Sequence, residues 1–201
     1  MGKIIGITGG IASGKSTVTN FLREKGFQVV DADQLVHQLQ RPGGRLYQLL
    51  VQHFGKEIIL ENGALNRPLL ASLIFSNPEE QEWSKQTQGE IIREELAALR
   101  EQLAQTEMVF FMDIPLLFEQ DYSAWFDETW LVYVDYDIQL ERFMKRDHLS
   151  KESAEARLAV QWSLEEKKSL ASHILDNNGS RDQLVGQVVR LLEGGDSCAR
   201  D

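Results

Sequence analysis

Gly9-Gly10-Ile11-Ala12-Ser13-Gly14-Lys15-Ser16-Thr17 is the stretch on which the fold turns. It meets the pattern G-x-x-x-x-G-K-[ST] through Gly9, Gly14, Lys15 and Ser16. The pattern alone is weak, and its flanks decide the reading. Before it runs Lys3-Ile4-Ile5-Gly6-Ile7-Thr8, a short apolar segment expected as a buried strand. After it runs Ser16 to Glu24, with Val18, Phe21 and Leu22 spaced like the inner face of a helix. Strand, glycine loop and helix make a phosphate cradle. Glycines let successive backbone N–H groups point inward without side chains in the way. The helix adds its unsatisfied first N–H groups and the positive end of its dipole. The backbone of Gly10, Ile11, Ala12, Ser13, Gly14, Lys15, Ser16 and Thr17 is therefore expected around a triphosphate. Lys15 supplies a mobile cation for the outer phosphates, and the Ser16 hydroxyl is placed to ligate Mg²⁺.

Moving outward, Gly26 ends that helix and Phe27-Gln28-Val29-Val30 reads as a second strand leading into Asp31-Ala32-Asp33. If the strand continues, the two carboxylates point the same way. Ligands in α/β sheets sit outside the carboxyl ends of the strands. Two readings stand side by side. Asp33 accepts a proton from an attacking hydroxyl with Asp31 as a structural or metal-linked neighbour, or the pair forms a solvated turn or N-cap before a helix over Gln34 to Leu39.

From Gln34 to about Gln105 the pattern is mostly helical, broken at Pro42-Gly43-Gly44, with Ile58-Ile59-Leu60 as a short extended piece. Asn66-Arg67-Pro68 opens one helix, and Ser76-Asn77-Pro78 starts the longest. Such a block between two strands exceeds a plain crossover and is expected as an inserted subdomain holding a second substrate. Met108 to Asp113 is a buried strand ending in an acid. Asp113 there either holds Mg²⁺ through water or caps the next turn. Another strand covers about 129–134 and a last one about 172–175.

Between them the composition turns basic, and Arg142, Lys145 and Arg146 share one side of a helix. That face can clamp phosphoryl oxygens or lie solvated beside Glu141 and Asp147. A further helix, Ser153 to Glu166, is expected as a mobile flap, a closing helix follows Ser180, and the chain frays from Gly194.

Composition narrows the class. A chain of 201 residues with 42% hydrophobic content suits one α/β domain with insertions. A formal charge of −10 argues against non-specific nucleic-acid binding. Cys198, the single cysteine, has no internal partner. No apolar run is long enough to span a bilayer and no signal peptide is expected, so the expected location is cytoplasmic. No His/Cys/carboxylate grouping has the spacing of a zinc site. The Asn-Lys-x-Asp guanine-reading motif of a nucleotide switch is absent.

With these residues laid out, the chain resembles the dephospho-coenzyme A kinase family over about residues 3–190. The glycine loop is shared with many families. The specific matches are Asp31-Ala32-Asp33 with His37, Arg67 through Ile74-Phe75, and Asp113-Ile114-Pro115-Leu116-Leu117-Phe118-Glu119. Gln139…Arg142…Arg146 with Arg157…Gln161 resembles the lid, and Asp176-Asn177-Asn178-Gly179 the closing motif near the adenine. The chain departs from the usual pattern at Ala12, Asn66 and His173, and most at Gln88-Gly89, where His-Pro is usual. That last change bears on the turn expected there and on substrate affinity.

The resemblance implies a P-loop kinase-like fold: a five-stranded parallel sheet flanked by helices. Its core would occupy about 1–34, 106–139 and 166–193, with a helical substrate insertion at about 35–105, a lid at about 140–165 and a frayed tail at 194–201. It implies transfer of the ATP γ-phosphoryl group to the ribose 3′-hydroxyl of dephospho-CoA with Mg²⁺, in a monomer or weak homo-oligomer. Asp33 would be the base and, with Lys15 and Arg142, catalytic. Arg146 and Asn177 would contact ATP. Thr8, Asp33, His37, Arg67, Phe75 and Leu116 would contact the acceptor, and Ser16 and Asp113 would serve the metal. A kinase for another small acceptor would share the loop, lid and sheet, and the Asp-Ile-Pro-Leu-Leu-Phe-Glu run argues against it.

Overall fold

Five short strands form one sheet: β1 (Lys3–Thr8), β2 (Gln28–Asp31), β3 (Val109–Asp113), β4 (Glu128–Tyr133) and β5 (His173–Asp176). β1, β3 and β4 are buried almost along their length, while β2 and β5 at the two edges are largely half-buried or exposed. The computed structural model describes residues 2–195, so Cys198 and most of the tail expected to fray lie outside the described residues. The strand order is β2-β3-β1-β4-β5, all parallel. Its register sets Ile7 opposite Asp113 on one side of β1 and opposite Trp130 on the other. The helices are α1 (Lys15–Glu24), α2 (Ala32–Leu39), α3 (Arg45–Phe54), α4 (Arg67–Phe75), α5 (Pro78–Thr106), α6 (Tyr136–Asp147), α7 (Lys151–Leu158), α8 (Leu164–Lys168) and α9 (Arg181–Gly195).

The chain divides into two compact units, residues 2–30 with 104–195, and residues 31–103. In the first, Ile5, Ile7, Phe111, Trp130, Val132 and Leu175 of the sheet pack with Val18 and Leu22 of α1 and Leu184 and Val188 of α9. Those helix positions recur at four-residue spacing, part of the stripe that buries a helix on a sheet. In the second, Leu50, Ile58, Leu65 and Leu70 form a small core edged by Tyr47, Phe54, Ile74 and Trp83. The His53 ring stacks on Trp83 at 3.6 Å, and its Nε2 lies 2.6 Å from Glu80 Oε2.

One open alternative is resolved and three local expectations change. β2 does not continue past Asp31, because Asp31 caps α2 by accepting from the Gln34 N–H at 2.9 Å. The two carboxylates therefore do not project together from an extended strand. The flap helix expected over 153–166 is two helices, α7 and α8. Ser163 starts the second with a capping box, bonding the Glu166 N–H while the Glu166 carboxylate takes the Ser163 N–H. Ile58 closes a 3-10 turn rather than opening an extended piece, and only Ile59 bridges to Leu65. Helix α9 runs to Gly195, past the expected start of fraying.

At Gln88-Gly89 the structure has no turn: α5 runs unbroken through it for 29 residues. A proline at 89 would delete a ladder hydrogen bond and kink the helix. Gln88 instead donates to Ser84 Oγ at 2.5 Å, one turn back. A Cβ added at Gly89 meets nothing within 4 Å. Glycine inside a helix costs about 0.5–1 kcal/mol relative to alanine. Gly89→Ala is therefore expected to raise the unfolding free energy by about that much in urea titration, and a loss of stability would show that the site needs a bend.

Candidate active site

The glycine loop closes on itself and then on three neighbours. Ser13 N–H donates to Gly10 O at 3.2 Å and Thr17 N–H to Gly14 O at 3.0 Å. Among the described residues, this leaves the N–H groups of Ala12, Gly14, Lys15 and Ser16 outside the loop's own backbone hydrogen bonds. Gly14 caps α1 at φ 99°, a left-handed conformation suited to glycine. A Cβ there would stand 2.1 Å from Asn177 Nδ2, so contact and conformation both exclude a side chain.

Asn177, at the carboxyl end of β5, is the joint. It is 8% exposed, its Nδ2 donates to Ser13 O at 2.8 Å, and its N–H donates to Tyr133 O at 2.8 Å. Its own carbonyl accepts from Arg142 Nη1 at 3.0 Å. The structure thus assembles the loop, Asn177 and Arg142. Arg146 turns away from them: it is exposed and holds Asp147 through two contacts of 2.6 and 3.2 Å. Beside Asn177, Asn178 exchanges hydrogen bonds with Asp135 and so ties the β5 loop to the end of β4.

Lys15 Nζ lies 3.4 Å from Asp113 Oδ1, with both side chains largely buried. Ser16, on the next turn position of α1, is exposed. A serine hydroxyl and a carboxylate are hard oxygen donors, the set Mg²⁺ uses alongside phosphate oxygens and water. The two residues fit that ion. Thr8 is fully buried and its hydroxyl donates to Pro115 O at 3.1 Å, a bond that holds the segment after β3. Leu116 follows in that segment, half-buried.

Pro115 O has a second donor that sequence reading missed. Lys167, fully buried, gives its Nζ to Pro115 O at 3.1 Å and to Glu119 Oε1 at 2.7 Å. Glu119 Oε1 also takes the Trp162 N–H at 3.3 Å. Lys167 sits in a run of charges, Glu165 to Lys168, where nothing local distinguishes a buried lysine from a solvated one. Nearby, the Tyr133 hydroxyl is held by the carboxylates of Glu165 and Asp135. The Glu165 hydrogen bond, then burial, then Asp135 push its pKa well above the usual tyrosine value, so it remains a donor. Gln139 and Gln161 were also missed as contacts of the loop; both bond the Ile11 backbone.

The remaining predicted residues belong to the unit of residues 31–103. Asp33 is an exposed carboxylate in the first turn of α2, and His37 is exposed in its last turn. Asn66 caps α4 by accepting from the Leu69 N–H, which sets Arg67 and Pro68 at the helix start. Arg67 is exposed, and Phe75 at the helix end is 73% exposed.

The family model for dephospho-CoA kinase matches residues 3–183. The chain is 79% identical over 201 residues to the dephospho-CoA kinase of Streptococcus pneumoniae serotype 4, covering 100% of both chains. Among solved structures, a Thermus thermophilus protein superposes with TM-score 0.79 at 33% identity, over 96% of this chain and 97% of that one. The dephospho-CoA kinase of Campylobacter jejuni superposes with TM-score 0.74 at 27% identity, over 97% and 100%.

Proposed function

The chain belongs to the dephospho-CoA kinase family, and from that premise we propose how its residues carry out the reaction. The enzyme moves the γ-phosphoryl group of ATP to the ribose 3′-hydroxyl of dephospho-CoA, the last step of coenzyme A biosynthesis. The observation that carries the site reading is the loop geometry. N–H groups at the start of α1 that, among the described residues, lie outside the loop's own backbone hydrogen bonds, with Lys15 beside Asp113 and Asn177 against Gly14, make a cradle suited to phosphates.

Catalysis of phosphoryl transfer is mostly positioning and charge stabilisation. The loop amides and Lys15 hold the phosphates. The 3.4 Å contact with Asp113 keeps the lysine ammonium at the mouth of the cradle until a phosphate replaces or joins the carboxylate. Ser16, with Asp113 through water, would hold Mg²⁺, and the ion would supply positive charge to the outer phosphates. Asp33 orients and deprotonates the acceptor hydroxyl, and its exposed place in the first turn of α2 leaves it open to substrate. His37, Arg67 and Phe75 contact the acceptor, and the exposure of all three supports that role. Thr8 acts through Pro115 and sets the wall that carries Leu116. Residues 31–103 serve as the acceptor-binding subdomain and about 140–165 as the lid. Arg146 reaches ATP by exchanging Asp147 for phosphate as the lid closes.

Arg142 is near the loop and, among the described residues, its guanidinium donates to a neutral carbonyl and not to a carboxylate, so its charge is available to phosphoryl oxygens. Arg142→Ala is expected to lower kcat steeply, by about 10²–10³-fold as for other transition-state donors, with a modest loss of ATP affinity. Unchanged turnover would remove it from the mechanism.

No helix among the described residues is long and apolar enough to cross a membrane. A cytoplasmic monomer or weak homo-oligomer, acting on small molecules rather than nucleic acid, completes the reading. Its test is ADP release from MgATP with dephospho-CoA, AMP, CMP, adenosine or no acceptor. Turnover with dephospho-CoA alone, giving a 3′-phosphorylated product, is the expected result. Turnover with a nucleotide instead would leave the fold and overturn the acceptor.

A further inference from the structure

The tip of the phosphate loop is gripped from outside by two glutamines. Gln161 Oε1 accepts from the Ile11 N–H at 3.3 Å, and Gln139 Nε2 donates to the Ile11 carbonyl at 2.8 Å. One residue's backbone is thus held at both its donor and its acceptor. The two amide orientations are dictated by chemistry: an N–H demands the oxygen of Gln161, and a carbonyl demands the nitrogen of Gln139. Gln139 lies in the first turn of α6 and is only 6% exposed. Gln161 lies in the link between α7 and α8.

Two further observations show that the tip depends on this grip. A Cβ at Gly10 would stand 2.5 Å from Gln139 Nε2, so the loop approaches that side chain as closely as only glycine allows. Ala12 adopts φ 58°, a left-handed conformation disfavoured for any residue with a Cβ. Ile11 and Ala12 meanwhile pack against Leu140, Phe143, Ala154 and Leu158 of α6 and α7. Strain at Ala12 persists only where the surroundings over-determine it. Here those surroundings are the lid helices themselves.

We propose that Gln139 and Gln161 are positioning residues that clasp the Ile11 peptide and make the shape of the phosphate loop depend on the lid. They touch no reacting atom and act through the loop backbone. The inference rests on reading the loop as the ATP site, and it adds that ATP affinity is set partly by two side chains from the lid region.

The test uses the full-length enzyme with Gln161→Leu, Gln161→Glu, Gln139→Leu and Gln139→Glu. Two readouts apply: amide hydrogen exchange at Ile11 without nucleotide, and steady-state kinetics at saturating dephospho-CoA. Gln161→Leu is expected to speed Ile11 exchange at least tenfold. It should raise KM for ATP by about 2–10-fold, the worth of one hydrogen bond, with kcat within about twofold. The two Gln→Glu variants separate a directional clasp from mere packing. In Gln161→Glu the new carboxylate still accepts from the Ile11 N–H and keeps exchange slow. Gln139→Glu instead sets an acceptor against a carbonyl and loosens the tip as Gln139→Leu does. Unchanged Ile11 exchange in Gln161→Leu, equal exchange in Gln161→Leu and Gln161→Glu, or faster exchange with an unchanged KM for ATP would each overturn the proposal. Should the unaltered enzyme fail to phosphorylate dephospho-CoA, the functional reading falls, and the exchange data still judge the clasp.

Discussion

Asp33→Asn is expected to lower kcat by about 10²–10⁴-fold, the range for loss of a general base, while leaving ATP binding near its original value. Asparagine keeps the size and hydrogen-bonding reach of the side chain and removes its ability to take a proton. Asp33 is exposed in the first turn of α2, where the helix dipole favours a carboxylate modestly, so the fold should tolerate the change. Asp31→Asn is the matched control. Asp31 caps α2 through its side-chain oxygen, and asparagine caps as well as aspartate does. Single-turnover transfer to dephospho-CoA, compared across the two variants, separates their roles. A drop of less than about tenfold in Asp33→Asn would take the base assignment away from it.

The second large effect is on stability. Lys167→Met is expected to cost about 3–5 kcal/mol of unfolding free energy, because it strands the Glu119 carboxylate inside the protein. Lys167 is fully buried, and Glu119 Oε2, also buried, has no hydrogen-bond partner among the described residues. The ammonium 2.7 Å from Oε1 is therefore the charge that makes Glu119 tolerable. A typical domain has about 5–15 kcal/mol in all, so the single variant should be near its threshold at moderate temperature. The double variant Lys167→Met with Glu119→Gln removes both charges and is expected to recover most of the loss. Urea unfolding of the three proteins gives the comparison directly. A single-variant cost below about 1 kcal/mol, or a double variant no better than the single, would mean that the pair is hydrated.

Much of the protein follows from local pattern. The apolar run before Gly9, the glycine loop and the stripe after Ser16 define β1, the cradle and α1. Each signal spans a few residues, and burial of strands and helix stripes needs no further information. The five strands and the long helix before β3 were legible for the same reason. Where two local signals competed, one case was left open and another misled. Asp31-Ala32-Asp33 reads as a strand end or as a cap, and the cap prevails because a helix follows at once. The stretch from Ser153 to Glu166 has helical composition throughout, yet the capping box at Ser163 starts a second helix within it.

Tertiary structure alone decided which polar groups distant in sequence meet. The bond from Asn177 to Ser13 joins residues 164 positions apart, and that from Gln139 to Ile11 residues 128 apart. Lys167 reaches Pro115 across 52 positions and loses its solvent there, although its neighbours in sequence are ordinary surface charges. Periodicity reports which face of an element is apolar. It carries no record of which distant carbonyl or carboxylate that face will meet, because the pairing is set by how strands and helices stack once the chain has collapsed. The chemistry of the loop is written in nine consecutive residues, and the groups that hold its shape are drawn from the far half of the chain.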